Sequence, residues 1–214
     1  MRTKSKLHFD FYEFITTKLL NYFKNNLNLK SSEIEKLYLG IIIILLNVGK
    51  LLFIAIVAFF IGMIKEVLIL FIMFAALRLT AAGIHLKSSL GCTIVSLITF
   101  IGSAYITVNY PLSISLTCIV SIICTVILYK YSPADTENRP ILEKEHRKKL
   151  KIKATITALV FIFINLLLLN KVLFNLTMFA LLLQSLSILP CTYKLLKSNY
   201  NNYEKYELIQ LKHS

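Results

Sequence analysis

Long apolar runs separated by short polar connections constrain this chain more than any other feature. A helix needs about 20 apolar residues to cross the hydrocarbon core of a bilayer. Six segments reach or approach that length: 39–64, 67–84, 90–108, 112–130, 154–170 and 172–192. The second and fifth are short. Tight connections at Lys65-Glu66, Asn109-Tyr110-Pro111 and Asn170-Lys171 join the runs in pairs. The expected fold is therefore all-α: a polytopic membrane protein with six transmembrane helices in three hairpins. It is read as one integral membrane domain over 1–214, with 1–36 at the cytoplasmic face, 37–192 in the membrane and 193–214 as a cytoplasmic tail. Composition agrees, since 57% of the residues are apolar and 16% charged, against about 25% charged in a typical soluble domain. A soluble globule, a disordered chain and a coiled coil are excluded. The net charge of +13 does not argue for nucleic acid, because the basic residues lie between apolar runs and not on a separate domain.

Basic residues set the orientation, because cytoplasmic loops of membrane proteins are enriched in Lys and Arg. With the N-terminus inside, the first 36 residues (seven Lys/Arg), the 78–90 connection (two), the 130–153 loop (eight) and the tail (four) are all cytoplasmic. Lys65 and Lys171 fall outside, and Lys50 lies within the first span. Both termini are expected inside. No cleaved secretory signal is expected in the first 36 residues, which lack a short apolar core and a small-residue cleavage site. There, Leu7, Phe11, Phe14, Ile15, Leu19 and Tyr22 recur at helical spacing. That pattern predicts an amphipathic helix, lying on the inner leaflet or packed on the protein. Ser32 and Glu35 form a capping-box pattern for the next helix.

Polar residues inside a membrane are costly, so they are where function is sought. The spans hold almost no Asp or Glu, which excludes an intramembrane aspartyl protease and a carboxylate-relay transporter. HExxH and GxSxG are absent. The four cysteines form no CxxC and no zinc-spaced Cys/His cluster, so no metal, no cofactor and no disulfide framework are expected. Cys118, Cys124 and Cys191 read as packing residues, and His8, His146 and His213 as solvated. One cluster remains, from Arg78 through Gly83, His85, Ser88 and Ser89 to Cys92, on the cytoplasmic side between spans two and three. On one straight helix, His85 and Cys92 would share a face but stand about 10.5 Å apart along the axis. A catalytic dyad therefore requires a break. Gly83 can end span two, and Ser88 or Ser89 can cap span three; with Ser89 as cap, Cys92 is the third helical residue. A helix N-terminus favours a thiolate, an imidazole can take the thiol proton, and unpaired first-turn amides can bind an oxyanion. Arg78 can add charge or orient a substrate. The plainer alternative makes His85 an interfacial residue and Cys92 a small packing residue.

The series Arg78, Gly83, His85, Cys92 resembles the signature of the AgrB family of quorum-sensing, propeptide-processing cysteine endopeptidases. Tyr131, Pro133, Ala134, Asp135, Thr136 and Pro140, followed by the basic run from Arg147 to Lys151, are similar to that family's central loop (Tyr-Ala-Pro-Ala-x-Thr, then Pro and basic residues). Asn47, Gly49 and Lys50 resemble its Asn-x-Gly-Lys element. The resemblance implies an enzyme of the bacterial cell membrane that removes the C-terminal tail of an AgrD-type propeptide. It also implies closure of the remainder into a thiolactone or lactone ring. Cys92 is then the nucleophile and His85 its base; Arg78, Gly83 and Ser89 match recurring positions. Ile42 stands where some members carry Gln, and Glu137, Asn138 and Arg139 replace a Lys cluster, so substrate recognition is expected to differ. The resemblance further implies a homodimer.

Lys50, with Asn47 one turn earlier, has two readings: structural pairing or snorkelling, and contact with the peptide. The 130–153 loop, Arg139 included, can attract the acidic end of a substrate or contact anionic lipid. Membrane lipids and the propeptide are thus the expected partners, with no nucleic acid. The competing functions are a peptide exporter without chemistry and a structural membrane subunit.

Overall fold

The computed structural model describes residues 4–26, 31–84, 88–137 and 140–206; the side chains of 4–12, 31, 32 and 89 fall outside that description. The described chain is mainly helical, with α1 (Lys4–Asn26), α2 (Ser31–Phe60), α3 (Ile64–Ala81), α4 (Ser89–Asn109), α5 (Ile114–Tyr131), α6 (Lys144–Leu168), α7 (Lys171–Ile188) and α8 (Pro190–Leu195), and a last helical turn at 203–206. The described residues form no strand, and Ala82 and Ala134 make an isolated bridge. Two compact units divide the chain, Met1–Val57 and Ala58–Ser214.

In the first unit, helicity from Lys4 to Asn26 agrees with the spacing of its apolar residues. Phe14 and Tyr22 of the expected stripe are exposed, and Leu19 is partly so; the buried positions are Thr16 and Leu20. Leu20 lines a cleft with Ile34, Tyr38 and Leu39 of α2. Phe14, Leu19 and Tyr22 are thus left uncovered and Ile15 is half-buried, while Thr16 and Leu20 pack. The Ser32 capping box falls on side chains outside the description.

The second unit is organised around α7. Residues 174–178 are all buried, as are Ala180, Leu181, Gln184, Ser185 and Ile188. Helices α3, α4, α5 and α6 pack on it, α3 also contacts α4 and α6, and α5 contacts α6. Small residues make the approach possible. Helix α5 buries Thr117, Ser121, Cys124 and Thr125, with Leu128, on one stripe, and α6 buries Ala154 and Ala158 at i and i+4. Small side chains let helix backbones approach closely where burial of apolar area provides little drive. Polar side chains then bond across the contacts. The Asn165 amide donates to Thr177 Oγ1 at 2.7 Å, and Ser185 Oγ donates to the Cys124 carbonyl at 3.1 Å. Asn175 accepts from the Leu112 amide at 3.0 Å and donates to its carbonyl at 3.2 Å, so the α4–α5 turn is fastened to α7.

Five described helices are long and apolar enough to cross a membrane: 33–60, 90–109, 114–131, 144–168 and 171–188. Many large apolar side chains point outward from them, Phe60, Ile98, Phe163 and Leu167 among them. This fits a multi-pass membrane protein. The expected second span, α3, has 18 residues but carries Lys65, Glu66 and Arg78. Boundaries also shift. The first turn lies at Gly62 (φ 77), not at Lys65-Glu66, because Gly62 and Met63 donate back to the Phe59 and Ala58 carbonyls. Helix α6 begins ten residues before the expected span, as the basic run from Lys144 continues the helix. The sixth run ends at Ile188, since Pro190 cannot continue α7 and opens α8 instead.

Replacing Asn175 by Ala leaves the Leu112 amide and carbonyl without their partner. The expected loss is about 1–3 kcal/mol, read as an earlier midpoint in SDS unfolding of the detergent-solubilised protein. An unchanged midpoint would refute the role given to this clamp.

Candidate active site

Helix α3 stops at Ala81 because the next two residues leave helical space. Ala82 has φ 54 and Gly83 φ 119, the latter a conformation that only glycine adopts easily. A Cβ at Gly83 would collide with Arg78 Nη1 and lie 2.8 Å from Ser187 Oγ and 3.1 Å from Ile188 Cγ2. Non-helical backbone in an apolar setting must find partners for its polar groups, and here each group does. The Ala82 amide donates to the Arg78 carbonyl at 3.0 Å, the Gly83 amide to the Ala134 carbonyl at 2.8 Å and the Ile84 amide to the Ser187 carbonyl at 3.1 Å. The Ala82 carbonyl accepts from Gln184 Nε2 at 2.7 Å. The Gly83 and Ile84 carbonyls both accept from Arg78 Nη2, at 2.9 and 2.5 Å. Arg78 Nη1 donates to Ser187 Oγ at 2.8 Å. One guanidinium therefore joins the end of α3, the chain after it and the end of α7.

The chain resumes as helix at Ser89. Ser88, extended at φ −85 and ψ 124, is the cap, and its side chain accepts from the Gly91 amide at 3.2 Å. The cap is thus one residue earlier than the Ser89 alternative, and Cys92 is the fourth helical residue instead of the third. Its amide is already committed to the Ser88 carbonyl at 2.9 Å. Helix geometry then leaves the first-turn amides of Ser89 and Leu90 as those without an intrahelical acceptor. Cys92 is a free, half-buried thiol. The Arg78 guanidinium lies within electrostatic reach of it and of Tyr193. A cation so placed stabilises negative charge that develops beside it in a transition state.

The break that a His85–Cys92 pair requires is present between Ala81 and Ser89. His85 itself lies outside the described residues, as do Arg139 and the side chain of Ser89. Arg78, Gly83, Ser88 and Cys92 belong to the second unit, whereas Asn47 (exposed) and Lys50 (half-buried) stand one turn apart on α2 in the first. Sequence reasoning missed Gln184, Ser187 and the Ala134 backbone, all of which hold the break. Gln184 carried a signal, as an amide inside an apolar run. Among the other cysteines, Cys124 is buried and Cys118 half-buried, but Cys191 is exposed and so is not a packing residue. Among the described residues, no three His, Cys, Asp or Glu side chains converge on a metal position.

A family model described as accessory gene regulator B matches residues 16–188. This chain belongs to the AgrB family. It is 33% identical over 208 residues to a putative AgrB-like protein of Clostridium acetobutylicum, covering 97% of each chain. A putative AgrB-like protein of Listeria innocua is 37% identical over 172 residues, which is 80% of this chain and 84% of that one. The accessory gene regulator protein B of Staphylococcus intermedius is 32% identical over 129 residues, 60% of this chain and 68% of that one. No solved structure matches the chain.

Gly83→Ala tests how this AgrB-family protein holds its break. The added methyl meets Arg78 and Ser187 at a strained φ, with an expected cost of about 1–3 kcal/mol. It should appear as a lower thermal midpoint in detergent and as faster proteolysis after residue 84. Wild-type behaviour in both would contradict the packing described.

Proposed function

We propose that this AgrB-family protein is a membrane cysteine endopeptidase. Its substrate in this reading is an AgrD-type propeptide, from which it removes the C-terminal tail and promotes ring closure. Family membership implies a role in accessory gene regulator quorum sensing. The observation that carries the chemistry is the interrupted helix, with Cys92 in the first turns of α4 and the Arg78 cation within electrostatic reach.

In this reading His85 takes the Cys92 proton, and the thiolate attacks the carbonyl before the scissile bond. The amides of Ser89 and Leu90, or Arg78, receive the oxyanion. The C–N bond breaks, His85 returns the proton to the leaving amine, and the N-terminal part stays on Cys92 as a thioester. A Cys or Ser side chain of the bound peptide then attacks that thioester, closes the ring and frees the Cys92 thiol. The first step trades an amide for a less stable thioester, so removal of products draws the reaction forward. Ring closure competes with water, and a site at the membrane interface keeps water scarce.

The surrounding architecture belongs to the same reading. It comprises six spans with α3 among them, both termini in the cytoplasm, the site at the cytoplasmic face of the cell membrane, and a homodimer. The exposed Phe14, Leu19 and Tyr22 of α1 rest on lipid. Lys50, Asn47 and Arg139 contact the peptide, and Ser88 and Ser89 support the nucleophile through the start of α4.

The test is tail release from a coexpressed or added propeptide, normalised to inserted protein. Cys92→Ala should lower the rate by roughly 10⁴-fold or more, to background. His85→Ala should lower it by about 10²- to 10⁴-fold. Tail release by Cys92→Ala at an appreciable rate would overturn the enzyme reading in favour of transport or a structural role.

A further inference from the structure

Past α8, the described part of the C-terminal segment, up to residue 206, is built into the fold. Asp135, in the connection between α5 and α6, is only 3% exposed. A carboxylate so buried must be supplied with donors, and among the described residues these come from the tail. Its Oδ1 accepts from the Asn202 amide at 2.9 Å and from Asn202 Nδ2 at 3.4 Å. Its Oδ2 accepts from the Tyr203 amide at 3.0 Å. The attachment is reinforced on both sides. Asn199 Nδ2 donates to Glu137 Oε1 at 2.5 Å, and the Arg147 guanidinium lies over the Tyr203 ring at 3.7 Å. Tyr193 and Tyr200 pack edge to face at 5.1 Å.

The residue before Asp135 is the one that holds the helix break. Ala134 accepts from the Gly83 amide at 2.8 Å and donates to the Ala81 carbonyl at 3.0 Å. The single Tyr193 O–H spans both residues, directed to the Asp135 carbonyl at 2.8 Å and shared with the Ala134 carbonyl at 3.3 Å. Burial pushes the Tyr193 phenol above its ordinary value, so the neutral, donating form makes these bonds. Tail and site thus meet on two consecutive residues. A charged acceptor with two backbone donors is a strong, directional attachment, and its other end is the peptide that fixes the backbone two residues before His85.

We propose that Asp135 is a positioning residue for the His85–Cys92 pair, acting by clamping the 199–203 segment of the tail onto the connection whose backbone holds Gly83. The proposal rests on the cysteine endopeptidase reading. Asp135 touches neither the thiol nor the scissile bond. It immobilises Ala134, and through Ala134 the exit of α3. Asp135→Asn keeps the size but turns a donor toward one of the two backbone amides, which breaks half of the attachment.

The test is a double-mutant cycle on the full-length protein in proteoliposomes. Initial rates of tail release are measured over a range of propeptide concentrations, per inserted molecule. Asp135→Asn should lower kcat roughly 10- to 100-fold, the size expected of a small misplacement of reacting groups, with KM within about twofold because substrate contacts persist. Removal of 197–214 should do the same. Asp135→Asn added to the shortened chain should then cost less than about twofold more, since coupled partners are not additive. If the shortened chain fails to insert, Tyr203→Pro takes its place in the cycle; it deletes one backbone donor at the first position of a helical turn, where proline fits. An unchanged kcat in Asp135→Asn, or a loss of the same size with the tail already disabled, would overturn the clamp. Cys92→Ala runs in parallel. Cleavage that persists there sinks the endopeptidase reading, whereas Cys92-dependent cleavage indifferent to Asp135 and to the tail sinks the clamp alone.

Discussion

The Arg78 guanidinium is the interaction on which the site depends. Residues 82–84 leave the helix beside apolar helices, where an unpaired backbone group costs several kcal/mol. Two of their three carbonyls are satisfied by this one side chain and the third by Gln184. A lysine could supply charge there but not a planar fork reaching Ser187 and two carbonyls together. With the backbone satisfied, the chain can stop one helix at Ala81 and start another at Ser89. That break gives a thiol at a helix start, with a cation in electrostatic reach.

The polar residues of α7 serve the same end on a larger scale. Asn175, Thr177, Gln184 and Ser185 are buried, and each bonds to another part of the chain. In an apolar surrounding such bonds specify which helix faces which, since packing of apolar side chains alone discriminates poorly. Helix α7 therefore sets the position of the α3 exit, through Gln184 and Ser187, as well as that of the α4–α5 turn, through Asn175.

Much of this was legible in the residues. The apolar runs located the helices α2 through α7, five of which are long and apolar enough to cross a membrane. The need for a break between His85 and Cys92 followed from helix rise alone, and Gly83 marked where it begins. What stayed hidden depends on contacts distant in sequence. The Ser88 cap could not be separated from Ser89 by composition, since either hydroxyl serves. The charges on α3 blurred its reading as a span, yet Arg78 is there to bind backbone. Gln184 and Ser187 lie more than 100 positions after the residues they hold. Asp135 stands at the variable position of the central-loop pattern, and its donors are mostly main-chain amides, which no sequence pattern displays. The exposed Phe14, Leu19 and Tyr22 of α1 were visible in its periodicity, but Thr16 and Leu20, which pack, were not distinguished from them.

The central claim is that a peptide is carried covalently on Cys92, and intact-mass analysis of the protein trapped during turnover tests it most directly. The account predicts an adduct with the mass of the propeptide lacking its C-terminal tail, located to Cys92 by fragmentation and released by neutral hydroxylamine, as a thioester must be. Tail release with no adduct at Cys92 under conditions that trap other thioesters, or an adduct on a different residue, would contradict it.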